Sequence, residues 1–171
     1  MMMARPYSNE YNPHFRGYIE LVPEGDLQTI LRRQLEESIS FFKAIPKEKS
    51  DYRYAKGKWS IKEVLGHLVD TERIMCYRLL AIARGDQTPL PSFDENAYND
   101  YANFNRLELE QLINEFQTVR QATLSMLENL SIDTLVNEGI VLNHPTTPRA
   151  IAYIIAGHEL HHLKIINERY F

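Results

Sequence analysis

Cysteine is almost missing from this 171-residue chain: Cys76 stands alone. A single thiol forms no internal disulfide and builds no thiolate cage, so any bound metal must be held by nitrogen and oxygen donors. Glycine and proline are also scarce, at seven and eight. They fall mostly between stretches of helical periodicity, and no alternating run is long enough to suggest a sheet-based core, so an all-α fold is expected. Neither sign of charge dominates, with 19 Lys and Arg against 23 Asp and Glu and a net charge of -4. The dense basic face needed for binding phosphate backbones is missing, and nucleic acid is not an expected partner. Long apolar runs are absent too, since Ile151 to Ala156 falls far short of the ~20 residues that cross a bilayer. The Met-rich start lacks the apolar core of a signal peptide. No membrane partner is expected, and the cytoplasm is the expected location.

What remains is the make-up of an ordinary globular chain, with 44% hydrophobic and 25% charged residues, and its length suits one domain. Residues 1–25, rich in Tyr, Asn and Pro, read as an N-terminal arm packed outside the domain or partly disordered. A helical domain then fills 26–171. Its first long helix should start at Asp26 as N-cap and stop before Pro46, with Leu27, Ile30, Leu31, Gln34, Leu35, Ser38, Phe42 and Ile45 on one face. The second has the clearest start, because Ser60 and Glu63 spell a capping box and Trp59 can staple onto Val64. It should end near Arg84, before Gly85. A long polar and aromatic connection, Asp86 to Asn103, reads as a lid or rim. Asn105 is the expected cap of a third helix, Arg106 to about Leu130, with Glu108 at its third position. From Ser131 to Thr146 a helical turn and an irregular stretch are expected. Thr147 and Pro148 then open a fourth helix that runs nearly to the C-terminus. Four long helices with long connections predict a four-helix bundle, with crossover topology as one option.

The histidines of the fourth helix are the features to explain. At about 100° per residue, with His158 as zero, His162 lies at about 40°, Ile151 at about 20° and Ile155 at about 60°, so both imidazoles follow the apolar stripe. His161 falls on the flank at about -60°. Two imidazoles one turn apart can converge on one ion, and zinc, nickel, iron or manganese all accept such donors. Burying both without partners is costly, and a shared cation satisfies them together. His67, one turn inside the second helix, is the natural third ligand, whereas His14 and His144 lie in irregular segments where loop placement is the simpler reading. Three imidazoles leave a coordination position open, as in catalytic sites. The rival pattern is His158-Glu159-Leu160-His161-His162, a literal H-E-x-x-H in which Glu159 would be the general base of a metalloprotease. Only nine residues follow His162, and the place of a third metzincin histidine holds Glu168. Glu159 is therefore expected at a helix boundary or in solvent.

Three stretches carry a resemblance: Gly57 to Arg73 (GKWSIKEVLGHLVDTER), Pro91 to Tyr98 (PSFDENAY) and Gly157 to His162 (GHELHH). Together they resemble the DinB-like superfamily, especially its YfiT-like branch. The resemblance implies a four-helix bundle with a three-histidine metal site, here His67, His158 and His162. It also implies a divalent transition metal, zinc or nickel before iron or manganese. The activities it suggests are S-transfer with a low-molecular-weight thiol such as bacillithiol, mycothiol-dependent isomerisation, or metal-dependent hydrolysis. An ion open on one side can activate either a thiol or water. The alternative from another class is a metal-containing stress-response protein without turnover. The expected partner is a small-molecule substrate, with homodimerisation left open. Arg78 and Thr71 lie within about 20° and 40° of His67 on the helical wheel and could contact an anionic substrate. An ion pair and a helix-internal hydroxyl bond are their simpler roles. Tyr98 and Asp94 could rim the pocket, or serve in packing and capping.

Overall fold

The computed structural model describes residues 3–171; the first two residues of the arm lie outside the described residues. Six helices follow one another: α1 (Arg16–Leu21), α2 (Leu27–Lys43), α3 (Ile61–Ala83), α4 (Glu95–Ala102), α5 (Leu109–Asn129) and α6 (Pro148–Arg169). A short antiparallel hairpin, β1 (Gly139–Val141) and β2 (His144–Thr146), precedes α6.

Capping chemistry sets the main boundaries. Asp26 accepts a bond from Thr29 N, Thr147 accepts one from Ala150 N, and Ser60 and Glu63 complete a reciprocal capping box. Gly85 follows α3 at φ +80, a conformation in which other residues are strained. Three sequence expectations need correction. The third long helix starts at Leu109 with Glu108 as N-cap, because Glu108 and Gln111 form their own capping box. Asn105 instead sits in a 3-10 turn, accepts a bond from Ser60 Oγ and donates to Glu63 Oε1. The Asp86–Asn103 connection contains α4, capped by Asp94 through Asn96 N and Ala97 N. The stretch expected to be irregular after the turn at Ile132–Val136 folds into the hairpin.

The four long helices form a bundle in which α3 packs on α6 and α5, while α2 packs on α5 and α6. The neighbours around the bundle are thus α3, α6, α2 and α5. Consecutive helices α2 and α3 stand on a diagonal, as do α5 and α6, which is why their connections must cross an end of the bundle. The N-terminal segment packs closely: α1 lies on α6, and Met3, Tyr11, Phe15, Ile19 and Val22 join the buried core. Gly157 makes this possible, since a Cβ there would stand 1.9 Å from Tyr18 O. Gly66 plays the same part on α3, where a Cβ would meet the Phe104 ring at 2.4 Å. Each glycine immediately precedes a histidine of the site.

Two apolar clusters fill the bundle, one around the first half of α6 with α1 and the end of α3, the other around the start of α3 with α2 and α5. Between them lies a polar layer. Arg120 of α5 is fully buried and pairs with Glu72 of α3 through Nε–Oε1 at 2.8 Å and Nη2–Oε2 at 2.9 Å. Arg120 Nη2 also stands 2.8 Å from Glu159 Oε2, a charge contact made without a well-aligned hydrogen bond. Ser38 Oγ donates to Glu159 Oε1, and Thr123 Oγ1 donates to Glu72 at 2.6 Å. None of the helices among the described residues is long and apolar enough to cross a membrane.

Candidate metal centre

His67 from α3 and His158 and His162 from α6 meet where these two helices pack. His67 Nε2 lies 3.0 Å from His158 Nε2, which lies 3.1 Å from His162 Nε2. One donor atom from each imidazole falls within 4.8 Å of the others. Nitrogens bound to zinc at about 2.05 Å would stand about 3.3 Å apart in a tetrahedron and about 2.9 Å apart at octahedral right angles, so the spacing suits one ion.

The electrostatics agree with neutral donors. Burial pushes the His67 imidazole down to about 4, and burial with the neighbouring His67 and His161 pushes His162 down to about 3. His158 is depressed well below the usual range, mainly by burial and then by His162 and His67. The imidazoles are therefore uncharged at neutral pH, each with one ring nitrogen lone pair free, the state a metal requires. At most two protons can be shared among three facing nitrogens, whereas a cation satisfies all their lone pairs at once. Thr71 Oγ1 lies 3.4 Å from His67 Nδ1, an acceptor available to a proton on Nδ1 when Nε2 serves as a metal ligand. Trp59 and Tyr18 wall the site, with ring centroids 4.7 Å from His67 and 5.4 Å from His158.

Two cavities large enough for a small molecule reach the cluster, besides a void of about 10 Å³ that touches His158 from the side of Glu72 and Glu159. The first, about 150 Å³, is bounded by His67 and His158 with Tyr18, Thr71, Arg78 and Glu95. The second, about 210 Å³, is bounded by His162 with Lys58, Trp59, Asn96 and Tyr170. The consecutive residues Glu95 and Asn96 at the start of α4 thus serve one cavity each.

Glu95 is the residue that sequence reasoning passed over. Its Oε2 stands 4.0 Å from His67 Nε2. The signal was its place between Asp94 and Tyr98 in the Pro91–Tyr98 stretch, but only the position of α4 brings this half-exposed side chain to the rim beside His67. Arg78 and Thr71 do line the first cavity, and His14 joins them at its edge. Asp94 is occupied as the α4 cap, and His144 lies in β2. Tyr98 is half exposed, packs on Phe93 at 5.1 Å and lines neither cavity. Glu159 takes the helix-boundary alternative, where α6 meets α2 and α5, and not the solvent one. It is 1% exposed and engaged with Arg120 and Ser38, neither in solvent nor at the imidazole nitrogens. The first half of α6 is buried on nearly every side, so angular distance from an apolar stripe could not place Glu159 outside.

Comparison with known proteins agrees with this architecture. YfiT from Bacillus subtilis, described as a probable metal-dependent hydrolase with an unusual four-helix bundle topology, superposes with a TM-score of 0.72 at 18% identity, over 93% of this chain and 91% of that one. A mycothiol-dependent maleylpyruvate isomerase superposes at 0.68 with 13% identity, over 85% of this chain and 61% of the isomerase. A Streptococcus pneumoniae protein superposes at 0.65 with 17% identity, over 91% and 97%. These likenesses concern the fold. No curated protein matches in sequence. The sequence profile of the DinB superfamily matches residues 30–166, from the first turn of α2 to the last turn of α6 and including all three histidines, and the chain belongs to that superfamily.

Proposed function

We propose that this chain is a metal-dependent enzyme that transfers a low-molecular-weight thiol to a small electrophile. The supporting observation is the convergence of His67, His158 and His162 Nε2 atoms at 3.0 and 3.1 Å. These three side chains would hold a divalent transition metal, zinc or nickel in the first instance. When bound, such an ion supplies the Lewis acidity that lowers the pKa of a thiol or water beside it.

Two cavities on different sides of one histidine cluster favour a reaction of two small molecules over hydrolysis, which needs room for only one besides water. Glu95 is the carboxylate nearest the cluster. In the proposed step the thiol proton passes to a Glu95 oxygen and the sulfur lone pair forms the new carbon–sulfur bond. The electron pair of the cleaved bond departs with the leaving group. Trp59 and Tyr18 pack against the imidazoles of His67 and His158 and hold the two rings in place.

The test is consumption of a panel of electrophiles by metal-loaded protein, with and without bacillithiol, glutathione and coenzyme A. Thiol-dependent loss of electrophile that disappears in His67→Ala is the expected outcome. Thiol-independent consumption would replace transfer by hydrolysis. Inertness across the panel would favour a metal-binding protein without turnover.

A further inference from the structure

Two arginines are buried in the bundle, and they are treated differently. Arg120 is neutralised by Glu72 and Glu159. Arg78 is only 3% exposed, yet among the described residues no carboxylate lies within ion-pair distance of it. Its guanidinium donates to Pro91 O at 2.5 Å and approaches Met75 Sδ at 3.7 Å. A guanidinium offers five N–H donors in a planar fork, so most of its hydrogen-bonding capacity faces no protein acceptor. A buried cation without a counter-ion is costly. Burial alone lowers the Arg78 pKa, with no opposing carboxylate among its causes.

The guanidinium lines the same cavity as His67 and His158. Arg78 lies eleven residues after His67 on α3, about 16 Å along the axis, and long helical side chains lean back toward the N-terminus. The fork and the imidazoles thus line one cavity at different heights along α3. Phe15, Met75, Leu142 and Ile154 give the cavity an apolar lining. Glu95, the only carboxylate lining this cavity, reaches toward His67 instead.

We propose that Arg78 is the anchor for an anionic group, a carboxylate in the first instance, on the small molecule that enters this cavity. The molecule is then an acid with an apolar body, its charge held by the arginine fork and its reactive end directed to the histidines. A bidentate carboxylate would satisfy two of the idle donors and neutralise the cation in one contact. The inference rests on the proposed function in taking this cavity as a substrate site. It adds which chemical class fits.

The test is binding, measured without turnover. Metal-free full-length protein is titrated with hexanoate and with its neutral counterpart hexanamide, followed by NMR chemical-shift changes, in wild type, Arg78→Met and Arg78→Lys. Metal removal prevents the carboxylate from binding an ion directly. Wild type should prefer hexanoate, and Arg78→Met should weaken hexanoate by about tenfold or more, the scale of one charge-assisted hydrogen-bonded contact. Hexanamide affinity should change little, and Arg78→Lys should retain part of the preference. Thermal melting checks that the variants fold. If Arg78→Met alone fails to fold, the Arg78→Lys comparison decides: unchanged hexanoate affinity there would contradict recognition by the fork. No preference for hexanoate in wild type, or equal affinity in Arg78→Met, would overturn the proposal. Loss of thiol transfer with this binding intact would count against the proposed function alone.

Discussion

Replacing Glu159 by Gln separates the two meanings of the H-E-x-x-H stretch. In a metalloprotease the substitution would remove a general base, cost about 100-fold or more in turnover and leave stability nearly unchanged. In this bundle Glu159 is bound instead to Arg120 and Ser38 in the polar layer. Glutamine keeps the shape and an acceptor for Ser38 but removes one charge facing Arg120. Glu72 remains, with two hydrogen bonds to the guanidinium, so the arginine is not orphaned. The expected cost is that of one buried charge contact facing the guanidinium, about 1.5–3 kcal/mol, the range for contacts to charged groups. For a domain of this size that is about 3–12 °C in melting temperature. Arg120→Met should cost more, about 3–5 kcal/mol, because it leaves two buried carboxylates without their cation. Urea denaturation of matched metal-loaded samples reads both values, and a parallel assay reads metal affinity and turnover. Glu159→Gln should melt earlier, keep its metal, and change turnover less than about tenfold, well short of general-base loss. Wild-type stability combined with lost turnover, or a peptidase activity abolished by this substitution, would refute the reasoning.

Two further outcomes follow from the histidine site. Glu95→Gln should leave metal affinity nearly intact and lower thiol-dependent turnover by about 100-fold; unchanged turnover would remove Glu95 from the reaction. Metal-free protein should lose stability as the pH falls below about 6.5, because unfolded imidazoles take up protons before His67 and His162, which titrate folded at about 4 and about 3. These two groups together should cost about 4 kcal/mol between pH 8 and pH 5. The loss ends as the pH falls through the folded values, and His67→Phe should flatten the slope seen in urea denaturation.

Most of the fold was legible where side-chain chemistry acts over three or four residues. The Asp26, Ser60 and Thr147 caps are local events, and each long helix they open begins where expected. Asn105 and Glu108 are both plausible caps, and the choice depended on a tertiary contact: Asn105 is taken up by Ser60 and Glu63, 45 and 42 residues away. The imidazole pair on α6 was legible because four residues make one turn. His67 came from its place in the second helix, supported by the resemblance. Which of its two expected positions Glu159 takes, helix boundary or solvent, was not legible, because a helix buried on nearly all sides has no solvent face to infer and its partner Arg120 is remote in sequence. The unpaired state of Arg78 could not be seen at all, since it depends on which carboxylates fail to reach it.

The most direct measurement is metal content and affinity of protein purified without an affinity tag, stripped, and titrated with zinc and nickel. The account requires one ion per chain, with His67→Ala, His158→Ala and His162→Ala each weakening affinity by more than the about 10- to 100-fold typical of losing an outer-shell partner. Glu159→Gln should bind as wild type does. A wild-type protein that takes up neither ion, or three alanine variants that retain full affinity, would contradict it.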